Sequence, residues 1–215
     1  MNWFSNLFKS SSATEVTDSQ KDNLPPILKK LQIKNTVSIT ASCEAELKGF
    51  REFTYSPLPQ RIFSIGNLSI AQQTVNRYYL WDDETWLQVS YDKNAPEKSI
   101  EIILFYWLRS KTLTPSELTD EVRLPLSKQQ WEHQGKVFER CWNPVIKNDI
   151  PTVEHVVNKD ESYSVHFEQM IFSRKLTPAR KEYWFYSLEK SETDNTYLQM
   201  IAQGFSLDLA ELSVN

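Results

Sequence analysis

Asp83-Glu84-Thr85-Trp86-Leu87-Gln88-Val89 returns later in the chain as Asp194-Asn195-Thr196-Tyr197-Leu198-Gln199-Met200. A weaker copy is Asp160-Glu161-Ser162-Tyr163-Ser164-Val165-His166. Each copy has polar turn residues, then a small hydroxyl residue, then an aromatic that opens an extended run. Each follows a run rich in aromatic or β-branched residues: Arg77 to Trp81, Val153 to Val157, and Tyr183 to Tyr186. Strand, acidic turn, strand is the signature of a β-hairpin. Three such units predict a body built mainly of antiparallel strands.

Working outward, the first hairpin spans Val75 to Tyr91. Ile100 to Leu108 is apolar on both phases beyond Glu101, which predicts a strand covered on both sides. A helix competes there, and the β-branched and aromatic content favours the strand. Val37 to Ala41 reads as a first strand, whereas Glu44 to Lys48 is ambiguous between strand and helix. Arg61 to Ile65 predicts a strand ending in a turn at Gly66-Asn67, with Leu68 to Ala71 on the far side. Residues 113–135 are the best helical region. Thr114, Pro115 and Glu117 make a capping box, Ser127 and Gln130 repeat it, Pro125 separates two helices, and Gly135 ends the second. Further strands are expected at 137–142, 153–157, 163–172, 182–188 and 196–206. Leu176-Thr177-Pro178 echoes Leu113-Thr114-Pro115. The expectation is an α+β fold, mainly antiparallel sheet from hairpins, with a short helical insertion. Two similar lobes, 24–135 and 136–215, would explain the echoes, and convergence on good turn chemistry would explain them equally.

A chain of 215 residues that is 40% hydrophobic has enough apolar matter for a sizeable core. Its net charge of −4, with basic residues scattered among acids, argues against nucleic acid as a partner. Cys43 and Cys141 are far apart and outside any CxxC pair, so two reduced thiols are expected. No run approaches the ~20 apolar residues that span a bilayer, and no secretory leader is read at the start. The expected location is the cytoplasm, with peripheral contact at the inner membrane as an option.

Residues 1–23 read as an aromatic tip on a polar linker, ahead of a body at 24–215. Trp3, Phe4, Leu7 and Phe8 would share one helical face. Ser10 to Asn23 lacks the apolar content to order itself. The tip would dock on a partner groove or membrane surface, or fold back on its own body.

Three stretches together resemble one family: Arg77 to Asp83 with Trp86 to Val89, Met170 to Arg174 with Glu182 to Phe185, and the ending Gly204 to Val214. They are similar to the YjfK-like family of uncharacterised bacterial proteins, a domain of unknown function. The resemblance implies a cytoplasmic protein, some of whose relatives are encoded beside membrane-stress proteins. It carries no catalytic residues over.

The search for chemistry is mostly negative. Four glycines, widely spaced, leave no phosphate loop and no nucleophile elbow. His155 and His166 would face each other across a tight hairpin, half of a zinc site at most. Asp82-Asp83-Glu84 lacks the ligand alternation of a calcium loop. Cys141 with His133 lacks a third, orienting group. No catalytic residue, metal or cofactor is therefore expected. The leading functional expectation is a non-enzymatic adaptor in envelope-stress physiology, docking an unidentified protein through Trp3, Phe4, Leu7 and Phe8. The alternative is a small-molecule-binding protein or enzyme, its pocket between two lobes and walled by Trp81, Trp86, Trp107 and Trp184.

Overall fold

A computed structural model describes residues 24–52, 58–70, 72–81, 84–95, 98–141, 150–191 and 193–215. The aromatic tip and its linker lie outside the described residues. Among the described residues, twelve strands form one sheet, and every pairing in it is antiparallel. They are β1 (Thr36–Ile39), β2 (Gln60–Ile70), β3 (Gln73–Leu80), β4 (Thr85–Asp92), β5 (Glu101–Leu113), β6 (Gln130–His133), β7 (Lys136–Arg140), β8 (Ile150–Val157), β9 (Ser162–Lys175), β10 (Lys181–Lys190), β11 (Tyr197–Leu207) and β12 (Leu212–Val214).

The sheet closes on itself. Its path runs β2-β3-β4-β5-β11-β10-β9, and β8 pairs with both β9 and β2. Eight strands thus make a barrel, the size whose interior is filled by side chains or holds one small ligand. The two expected lobes are replaced by this single ring, because β5 pairs with β11 and β2 pairs with β8 across the proposed division. The three copied phrases are its β3–β4, β8–β9 and β10–β11 hairpins.

Period-two alternation explains why so many strand residues are buried: both faces of the ring are covered. On one side, Tyr78, Leu80, Leu87, Leu104 and Phe205 pack under α1 (Pro26–Lys29), α2 (Ala41–Lys48), β1 and β12. The ambiguous stretch at Glu44–Lys48 is helical because Thr40 caps it and Cys43 and Leu47 are buried against the barrel. Arg180 ties this cover down, its guanidinium 2.8 Å from Glu46 and 2.7 Å from Glu211. On the other side, Met170, Phe172, Trp184 and Tyr186 pack under α3 (Asp120–Ser127) and the β6–β7 hairpin.

Two local expectations are corrected. The second helix after Ser127 is instead the β6–β7 hairpin. Gln134 and Gly135, at φ 49° and 72°, make its two-residue turn, and Trp131 stacks on Trp184. Pro125 sits inside α3 rather than between helices. Gly66 is no turn residue: β2 runs unbroken through it from Gln60 to Ile70.

Candidate functional site

A buried ion pair crosses the barrel interior. Arg77 of β3 sends Nη1 to Glu154 of β8 at 2.8 Å, Nη2 to Gln169 of β9 at 2.6 Å and Nε to Gln88 of β4 at 3.2 Å. The Tyr79 hydroxyl donates to the second Glu154 oxygen at 2.8 Å. The rings of Phe167 and Phe185 lie 5.2 and 5.0 Å from the guanidinium carbon. Burial works against the Arg77 charge, but the Glu154 carboxylate and Tyr79 outweigh it and raise its pKa. Burial, then the Glu154 charge, pushes the Tyr79 phenol well up. A pair satisfied at this many points is held rigidly, and removing either half would strand a charge in low dielectric.

Arg77 partitions the interior. On one side lies a chamber of about 60 Å³. At ~10–15 Å³ per water this holds about four waters, or the body of a small ligand where it widens to the mouth. Its depth is formed by Arg77, Glu154 and Phe185, all buried, while Phe63, Trp107, Tyr163 and Met200 are half-buried and mark the rim. A β-bulge at Phe63, between Ile62 and Ser64, shifts β2 by one residue there. On the far side, a chamber of about 30 Å³ is lined by Ser90, Glu101 and Tyr183 among others. There the Tyr183 hydroxyl donates to Glu101 at 2.7 Å.

The larger chamber contains polar groups that the fold leaves unused. Trp86 Nε1 and Ser187 Oγ are buried with no hydrogen-bond partner among the described residues. Glu189 is 7% exposed, lines the same chamber and receives no hydrogen bond there either. Burial raises its pKa to about 8, with the Glu154 charge adding to the rise and Arg77 opposing it. A donor, a hydroxyl and a carboxyl converge among aromatic walls. Trp86 stacks on Phe105 at 4.8 Å and meets Phe185 edge-on at 5.6 Å. Few convergent polar groups in an apolar pocket describe a small-molecule site.

The three repeated turns all lie at this end of the barrel. The register puts Tyr79 opposite Trp86, Lys190 opposite Tyr197 and Val157 opposite Ser162, each pair closing its hairpin beside a lining residue. The described residues of those turns carry Glu84, Asp160, Glu161 and Asp194 against Lys159. Asp194 and Asn158 hold their turns by accepting backbone N–H groups two residues ahead.

Of the four tryptophans expected to wall a pocket, Trp86 and Trp107 line the chamber. Trp81 is 64% exposed, edge-on to Phe63 at 5.6 Å. Trp184 points to the outer face, packed with Trp131 and with the His133 ring 4.2 Å away. His133 is hydrogen-bonded to Glu52 at 2.8 Å. His155 pairs with Ser164, and His166 with Val153, so the two histidines sit diagonally rather than opposite. No metal-binding cluster occurs among the described residues. Both cysteines are free. Cys43 is buried, whereas Cys141 is exposed.

The adaptor expectation is corrected here. Trp3, Phe4, Leu7 and Phe8 fall outside the described residues. The binding features on view are the mid-chain aromatic clusters and unpartnered polar groups inside the barrel. Arg77, Glu154, Ser187 and Glu189 were missed by the sequence reading. A signal existed: Tyr183, Phe185, Ser187 and Glu189 share one phase of a strand, so a carboxyl rides on the same face as core aromatics.

No helix among the described residues is long and apolar enough to cross a membrane. A family profile described as "Protein of unknown function (DUF2491)" matches residues 3–213. No curated protein and no solved structure matches the chain.

Proposed function

The chain belongs to the DUF2491 family, and from that premise we propose that its members of this form bind a small molecule inside the barrel. The three quoted motifs support placing this chain beside the YjfK-like members. One observation carries the binding reading: Trp86 Nε1 and Ser187 Oγ are buried without a protein partner among the described residues and line one aromatic chamber, which the Glu189 carboxyl also faces. Leaving such groups unsatisfied in a core costs on the order of 1–3 kcal/mol each. A ligand that pairs with them recovers that cost on binding. The closed ring holds the walls in place, so the site is formed before the ligand arrives and little ordering is needed.

The experiment is a titration of the full-length protein with neutral fragments such as cyclohexanol, read by the fluorescence of Trp86 and Trp107. A saturable response is expected. Ser187→Leu, which fills the chamber, is expected to abolish it at an unchanged melting temperature. A response that persists in the filled variant would place binding elsewhere.

A further inference from the structure

We infer that the chamber selects an organic cation, a protonated amine carried on a compact apolar body. The inference deepens the small-molecule reading and rests on it.

Among the described residues, the chamber is lined by one more carboxyl residue than cationic residue. Arg77 is the one cationic residue among the described residues that line it, and Glu154 and Glu189 are its carboxyl residues. Arg77 is already committed at all three nitrogens, to Gln88, Glu154 and Gln169. Both Glu154 oxygens are taken, one by Arg77 and one by Tyr79. Glu189 is left over, 93% buried by its 7% exposure, and faces the space without a donor. A group with several N–H donors and a positive charge would complete it. The Ser187 hydroxyl, two residues back on the same phase of β10, is free to accept a second N–H.

The walls fit the same occupant. Trp86, Tyr79, Phe185, Trp107, Phe63 and Tyr163 surround the chamber. Aromatic faces attract a cation and exclude an anion. A carboxylate ligand would instead meet two carboxyl groups, with the Arg77 guanidinium already engaged at each nitrogen. The acidic turns at this end add a field of the same sense, weaker because it is screened.

The titratable groups facing Glu189 across the chamber are Arg77 and Tyr79 from β3, Glu154 from β8 and Tyr163 from β9. With Glu189 titrating near 8, amine affinity should climb as pH rises toward that value. It should decline again where the amine itself loses its proton.

The test is isothermal titration of the full-length protein with three probes of one shape: cyclohexylamine, cyclohexanol and cyclohexanecarboxylate. At pH 8 the amine is expected to bind at least tenfold more tightly than the alcohol, and the carboxylate to be weakest. Glu189→Gln should bring the amine-to-alcohol ratio toward one and remove its pH dependence. Equal binding of amine and alcohol to the unaltered protein would overturn the cation assignment while leaving the binding reading intact. Tighter binding of the carboxylate would do the same. Failure of all three probes, together with the neutral fragments above, would remove both. Because the probe series is run on the unaltered protein, a variant that fails to fold leaves the decision standing.

Discussion

A β-carbon on Gly66 would lie 1.6 Å from Oε1 of Glu154. The glycine is there to leave a slot for a carboxylate, and that carboxylate holds Arg77. Sequence identity at one strand therefore sets the ion pair between two others.

Gly66→Ala should accordingly cost far more than a glycine-to-alanine change in an ordinary strand, where a small gain is common. Displacing Glu154 leaves Arg77 buried and unpaired, a loss of about 3–5 kcal/mol. Urea denaturation of the variant would measure it. A loss under 1 kcal/mol would show that Glu154 has another place to go.

Arg77→Met and Glu154→Gln should each destabilise strongly, and the double variant by clearly less than their sum. The coupling arises because each single change strands the other partner. A double-mutant cycle on thermal or chemical unfolding checks this. Additive losses would mean that the two groups act independently.

Glu189 makes the free protein less stable as pH rises. Its carboxyl titrates near 4.5 when unfolded and near 8 in the fold. The folded state therefore holds a proton that the unfolded chain has released. The stabilisation is full below about 4.5 and is lost as pH climbs through 8, with a slope of at most ~1.4 kcal/mol per pH unit. Glu189→Gln should flatten that slope and be the more stable protein at pH 8.5. Denaturation midpoints between pH 4.5 and 9 decide it. Parallel curves for the two proteins would sink the assignment.

Ser187→Ala should separate stability from binding. It removes a buried hydroxyl without a partner, so stability should hold or rise by up to about 1 kcal/mol. Affinity for the amine probe should fall severalfold. Loss of stability would instead mean that the hydroxyl serves the fold.

The sequence made the hairpins legible because each turn carries its own chemistry in a short window, as with Asp194 and Thr196. It also marked the β5 strand, whose apolar residues lie on both phases. Closure was not legible. It depends on β8 meeting β2, some ninety positions apart, and no local pattern records that encounter. The second expected helix failed for a related reason. Ser127 and Gln130 fit a cap locally, but Trp131 gains more by stacking against Trp184 on the outer face of the barrel. The site was half visible. Trp86 and Trp107 stood out as aromatics, whereas Arg77 and Glu189 read as ordinary strand charges until the ring turned them inward.

The short seam between β8 and β2 has a bearing on how the molecule assembles. It is stitched by three residue pairs, from Ile65–Val157 to Asn67–His155, whereas β10 and β11 share nine. The long hairpins join near neighbours and have little loop entropy to overcome, so they form early. The seam joins distant segments and closes late. Until it does, Arg77 on β3 and Glu154 on β8 remain in water, where neither needs the other. Their encounter comes with that closure, and the chamber comes into being only when the seam shuts.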